Sequence, residues 1–214
     1  MTHIVHPYSF RLGILRNWKS RWFNLKKYRE FLKADVLVRE YLEKKLRGMY
    51  IDSIEMERSP DIFTIIIKTS RPGLVIGRKG EGVENLKKTI EVFLRKHDLI
   101  FCRKIDLVIE EVRSPETRAA IVAQMAAESL EKRMPFRRVM KQALDKVMAN
   151  KIVGGAKIML SGRLGGAEMS RREKLSRGRM PLQTLRADID FAREKAHLPY
   201  GDIGIKVWIY KEEK

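Results

Sequence analysis

Leu74-Val75-Ile76-Gly77-Arg78-Lys79-Gly80 sets two glycines around a basic pair, after an apolar step and before a helical stretch. Glycine has no Cβ, so a G-x-x-G turn joining two helices lets a nucleic-acid backbone approach the main chain closely. Amides at the start of the next helix favour phosphate there, and Arg78 and Lys79 add attraction. Alone, G-x-x-G is a weak signal; its neighbours make it strong. Downstream, a helix is predicted from Glu81 to His97, with Val83, Leu86, Ile90, Phe93 and Leu94 on one side. Upstream, strands are predicted over 51–58 and 62–69, split by the turn Ser59-Pro60-Asp61. Ile65-Ile66-Ile67 predicts a strand buried on both faces. Before them, Lys26 to Arg47 reads as a helix with Tyr28, Phe31, Leu32, Val38, Leu42 and Leu46 near one face and Gly48 as its stop. Leu37 and Tyr41 fall off that stripe, which predicts cover on more than one side. Ile105, Leu107 and Ile109 alternate with polar residues, as a half-buried strand does. Arg113-Ser114-Pro115 marks a domain boundary. No G-K-[ST] ending follows Gly80, which argues against a nucleotide phosphate loop.

Beyond that boundary, a helix is predicted from Pro115 to Arg133 and another from Pro135. In the second, Val139, Met140, Ala143, Leu144, Val147 and Met148 follow the i, i+3, i+4 pattern, and Arg138, Lys141 and Asp145 lie opposite, with Arg137 at the edge. Gly154-Gly155 ends that region. Strands are expected near 156–162, 183–191 and 203–210, and Arg163 to Arg186 reads as a basic connecting loop. In the last strand, Ile203, Ile205, Val207 and Ile209 alternate with Gly204, Lys206, Trp208 and Tyr210.

A helix and two strands before a basic G-x-x-G loop, then a helix and a strand, resemble the K-homology (KH) domain in its type II order. That resemblance implies a loop that clamps single-stranded nucleic-acid backbone. A narrower resemblance covers nearly the whole chain. His6-Pro7, Arg11-Leu12-Gly13, Arg71 to Gly80, Phe136-Arg137-Arg138, Ser161 to Glu168, Pro181 to Asp190 and Tyr200 to Tyr210 are similar, in order, to the small-subunit ribosomal protein S three family in its bacterial form. The fold expected is α+β with two domains. They are a type II KH domain over 26–113, with a mixed three-stranded sheet, and a C-terminal domain over 114–214, with two helices on a sheet; a basic arm over 1–25 precedes them.

The resemblance implies a protein of the small-subunit head that binds small-subunit rRNA and lines the channel through which mRNA enters. It also implies as neighbours the ribosomal proteins S ten, S fourteen, S four and S five. Arg137, Arg138 and Lys141 match the family's Phe-Arg-Arg-x-x-Lys block, which implies that they grip mRNA and help unwind it; spacing alone leaves a solvated face or an rRNA contact open. Three departures stand out. Thr2-His3-Ile4 replace the usual Gly-Gln-Lys, Lys174-Leu175 stand where Trp-Tyr is common, and the sequence stops at Lys214 without the long tail many members carry, so a tail-based contact is not claimed.

Among 214 residues, 45 are Lys or Arg and 27 Asp or Glu, a net +18. A charge of that size points to a polyanion, nucleic acid first. The charge clusters. Residues 1–33 hold eight basic residues and one acid, 132–157 eight and one, and 163–186 seven and two, while 34–113 are nearly balanced at sixteen and fourteen. In the first cluster, Arg11, Arg16, Lys19 and Arg21 interleave with Trp18, Trp22 and Phe23. Such a mixture suits rRNA, through phosphate contacts and base stacking, or else Trp22 and Phe23 close onto the KH-like core. In the third, Arg163, Arg171, Arg172, Arg177 and Arg179 are expected to reach rRNA phosphate.

No catalytic constellation is found, so an enzyme is not expected, and neither is a cofactor or metal. His3, His6, His97 and His197 lack metal-ligand spacing, and His6 and His197 suit turns or packing. The single Cys102 excludes an internal disulfide framework and reads as a buried small residue. Asp188-x-Asp190 resembles a metal pair but falls on one strand face beside Arg186, where ion pairing is the commoner outcome. No apolar run approaches the roughly 18–20 residues of a membrane span, and no signal peptide is evident. A ribosome in the cytoplasm is the expected location, an organellar ribosome the variant. Two rival readings are a free-standing KH regulator or assembly factor, disfavoured by the second-half blocks, and a DNA-repair lyase or nuclease, disfavoured by the missing metal and nucleotide motifs.

Overall fold

A computed structural model describes residues 5–97 and 104–212. Cys102, His3 and the Thr2-His3-Ile4 departure lie outside the described residues. The chain divides into two compact units: Trp18–Arg113, and the segment up to Asn17 together with Ser114 onward. Arg113-Ser114 is therefore the junction, but no arm stands apart: residues up to Asn17 pack with the second half, and those from Trp18 with the first.

The first unit runs β1 (Ser20–Arg21), α2 (Tyr28–Lys45), β2 (Ile51–Arg58), β3 (Ile62–Thr69), α3 (Pro72–Ile76), α4 (Glu81–Lys96) and β4 (Lys104–Glu111). The short helix α1 (Pro7–Phe10) belongs to the other unit. The strands form a mixed sheet in the order β1-β2-β3-β4, antiparallel at β2–β3 and parallel at the other two pairings. The predicted β2 and β3 match residue for residue. The sheet has four strands rather than three, because Ser20-Arg21 adds a short edge. The triple isoleucine alternates: Ile65 and Ile67 are buried while Ile66 is half-buried, since helices cover only one face. On α2 and its C-cap the buried stripe is Ala34, Val38, Leu42 and Leu46; the C-terminal half is as predicted, while Tyr28 and Leu32 are exposed and Ala34 takes their place. That stripe meets Met56, Phe63, Ile65 and Ile67 from the sheet and Leu86, Ile90 and Leu94 from α4.

The second unit adds α5 (Ala119–Glu131), α6 (Phe136–Met148), β5 (Val153–Gly162), β6 (Arg171–Gly178), β7 (Asp188–Leu198) and β8 (Gly201–Lys211) to α1. Its sheet is antiparallel throughout, in the order β6-β5-β8-β7. α5 and α6 cover one face. Alanines 119, 123, 126 and 127 let α5 sit close to the sheet, and the predicted stripe of α6 is buried or half-buried throughout. No side chain of Arg118 caps α5. Instead Asp190, on β7, accepts a hydrogen bond from the Ala119 N–H at 2.9 Å.

Three expectations fail here. Gly154-Gly155 lie inside β5 rather than ending a region. The basic "loop" contains β6, an edge strand needing only Leu175 to face the core, so its sequence carries almost no apolar signal. The strand expected at 183–191 starts at Asp188 and runs to Leu198, because Thr184 turns back on Ala187 and the hairpin with β8 extends to Leu198↔Gly201.

Candidate nucleic-acid interface

In the G-x-x-G turn, Gly77 (φ +71°, ψ −174°) and Gly80 (φ +82°) hold backbone conformations that other residues resist. A Cβ on Gly82 would lie 2.5 Å from the Val75 carbonyl oxygen, so the next turn of α4 presses on α3. Between the glycines, Arg78 and Lys79 are exposed and take no ion pair among the described residues. No side chain caps the start of α4. The turn therefore offers two free cations and uncapped amides, as its sequence implies.

The second site builds on α6. Arg137, Arg138 and Lys141 project from its exposed side, and Arg138 and Lys141 take no ion pair among the described residues. The structure brings this face next to β6. Arg137 Nε stands 3.6 Å from Glu173 Oε2, Arg171 Nε lies 3.3 Å from Glu173 Oε1, and Arg177 pairs with Asp145 at 2.6 Å. Helix face and presumed loop are thus one surface, in which Glu173 and Asp145 order the cations. All three pairs lie at the solvated surface, so they position charge and contribute little stability.

Several predicted contacts are engaged elsewhere. Arg11 is fully buried and donates to the carbonyls of Ala187 (2.7 Å), Thr184 (2.8 Å), Leu182 (3.1 Å) and Pro7 (3.1 Å). It cannot reach RNA, because it ties the chain start to the turn before β7. Burial lowers its pKa, with Asp188 opposing. Arg16 pairs with Asp188, so the ion pair foreseen for that acid forms with Arg16 rather than Arg186. Arg21 grips Glu55 (2.9 Å) and Glu57 (2.5 Å). Burial would raise the Glu55 carboxyl, but Lys68 and Arg21 together hold it below its usual value. Lys19 is exposed, while its carbonyl accepts from the Met56 N–H at 2.8 Å.

Trp22 is half-buried and donates to Asp35 at 2.7 Å, whereas Phe23 is 87% exposed and not core. Trp18 is exposed too. Arg163 donates to the carbonyls of Ala167 and Tyr200, shaping its own turn. Arg172 and Arg179 are exposed. His6 accepts from the Tyr8 N–H and packs on Phe191, a turn and packing role, while the exposed His197 meets Asp202 at 2.6 Å across the β7–β8 turn. Sequence reading missed Lys157, Arg193 and Lys206, on the sheet face away from the helices; strand alternation was the available signal. Among the described residues, no cluster of three or more His, Cys, Asp or Glu could hold a metal, and no helix is long and apolar enough to cross a membrane.

Fold and surface define the class: an α+β protein with a KH unit, whose free cations suit RNA, joined to a second domain of two helices on an antiparallel sheet. Comparison with known proteins agrees unit by unit. The KH domain family model matches residues 37–117, and the model described as "Ribosomal protein S3, C-terminal domain" matches 126–209. Relatives named small ribosomal subunit protein uS3 match over nearly the whole chain. That of Endomicrobium trichonymphae is 45% identical over 100% of this chain and 89% of its own length. Those of Caldicellulosiruptor bescii (47%; 97% and 90%) and Lawsonia intracellularis (48%; 98% and 94%) are equally close. The chain belongs to the ribosomal protein S3 family.

Proposed function

We propose that this chain is a structural, non-enzymatic component of the head of the small ribosomal subunit, where it binds rRNA and lines the channel through which mRNA enters. The observation that carries the reading is the α6 surface: Arg137, Arg138 and Lys141 stand together on the solvent side of a helix whose other side is buried. Like charges at i, i+4, such as Arg137 and Lys141, cost a few tenths of a kcal/mol in water, and a polyanion removes that cost. The matched Phe-Arg-Arg-x-x-Lys block supports mRNA as that polyanion. Arg78 and Lys79 hold single-stranded rRNA backbone, with Arg171, Arg172, Arg177 and Arg179 on further phosphates. Neighbouring proteins are S ten and S fourteen in the head and S four and S five across the channel, and the site of action is the ribosome.

The test combines Arg137→Ala with Arg138→Ala. Translation through mRNA hairpins slows while small subunits assemble and sediment normally. Equal rates on hairpin and unstructured messages would remove the mRNA role. A wild-type protein found mainly free of small subunits in salt-washed lysate would remove the ribosomal reading itself.

A further inference from the structure

The face of the second sheet turned away from α5 and α6 carries a continuous cationic pattern. Strand register aligns Arg193, Lys206, Met159 and Lys174 in one row across β7-β8-β5-β6. Lys195, Gly204, Ser161 and Arg172 form the next row, and Phe191, Trp208, Lys157 and Ser176 the row on its other side. Six of these twelve positions are cationic and none is acidic. Arg172, Lys174, Arg193 and Lys206 take no ion pair among the described residues. Arg193 stands directly opposite Lys206, and like charges so placed destabilise a sheet. Neighbouring strands lie about 4.8 Å apart and alternate residues along a strand about 6.7 Å, so the charges form a flat grid rather than a pocket.

The rings in these three rows are not available for stacking. Trp208 is 4% exposed, beneath Lys157 at 5.2 Å, and Phe191 packs against His6 and Trp208. Unstacked bases would find no platform within these rows, whereas a duplex presents phosphates and 2′-hydroxyls on a broad surface. We infer that this face binds the backbone of double-helical RNA independently of sequence, a division of labour from the G-x-x-G turn and α6, which suit single strands. The inference rests on the proposed rRNA-binding role and names the surface and the RNA form.

The test measures anisotropy of the purified full-length chain with a 20-base-pair RNA duplex and with an unstructured 20-mer, over a salt series. The triple variant Lys174→Thr, Arg193→Thr and Lys206→Thr keeps strand-favouring residues. Its duplex affinity falls at least tenfold, and the slope of log K against log salt becomes shallower by about 2–3, near one per lost phosphate contact. Binding of the 20-mer changes little. The α6 variant Arg137→Ala with Arg138→Ala shows the reverse preference. Unchanged duplex affinity and slope in a triple variant of native circular dichroism would overturn the inference. Because lysate sedimentation tests the ribosomal role separately, either can fail while the other stands.

Discussion

Removing the Asp35 carboxylate tests how the KH unit is held together. Asp35 and Arg58 are both almost wholly buried, with side chains 1% and 2% exposed. The carboxylate accepts from Arg58 Nε (2.9 Å), Arg58 Nη2 (2.6 Å) and Trp22 Nε1 (2.7 Å). The guanidinium also lies 4.0 Å from the Phe63 ring centroid and 4.9 Å from that of Phe31. In Asp35→Ala a buried cation loses the Asp35 carboxylate and an indole N–H its acceptor. Breaking one side of such a pair costs about 3–5 kcal/mol. Replacing both partners, as in Asp35→Leu with Arg58→Met, removes the stranded charge and costs about 1–2 kcal/mol or less. The readout is amide exchange in β2 and β3, which reports opening of this unit alone. A loss of about 4 kcal/mol lowers protection roughly 10³-fold in the single variant. In a unit of about 100 residues it lowers the melting temperature by roughly 20 °C. A single variant no less stable than the double one would refute the reasoning, because the stranded charge would then carry no penalty.

Arg11→Lys leaves carbonyls of Thr184 and Leu182 without the donor that reaches them, since a single ammonium cannot span the four acceptors. It lowers stability of the second unit by about 2–4 kcal/mol, read as lost exchange protection in β7. Gly77→Ala forces a Cβ into a glycine-only conformation 3.1 Å from the Gly82 nitrogen. It costs about 1–3 kcal/mol and weakens single-strand binding more than Gly80→Ala does, whose Cβ meets open space; calorimetry with anisotropy on both variants checks the order. The lowered Glu55 pKa stabilises the first unit at pH values above the unfolded carboxyl value of about 4.3, and that contribution disappears as pH falls through the lower folded value. Urea midpoints between pH 6 and pH 3 therefore drop, and Glu55→Gln flattens that drop.

Local signals were enough where an element's own residues carry its information. Strands 51–58 and 62–69 were legible because Ser59-Pro60-Asp61 turns between two apolar runs. The α6 stripe was legible because a helix with one dry face repeats every 3.6 residues. The G-x-x-G turn could be read because its glycines and basic pair are adjacent in the chain. The burial stripe of α2 was legible only in its second half, at Val38, Leu42 and Leu46, since Tyr28 and Leu32 are left at the surface and only the packed sheet selects among its apolar residues.

By itself, then, the sequence determined the two-unit α+β order, the G-x-x-G turn and the amphipathic α6, all of which depend on neighbours in the chain. Only the tertiary structure decided that Arg11 is a buried tether, that Asp190 caps α5, that Arg171–Gly178 is an edge strand and that scattered lysines and arginines share one sheet face. Each of those outcomes depends on a partner far along the chain: Arg11 and Ala187 are 176 residues apart, and Ala119 and Asp190 are 71. A charge count along the chain cannot tell a cation facing solvent from one already neutralised or buried, and that distinction determines which of them are free to meet RNA.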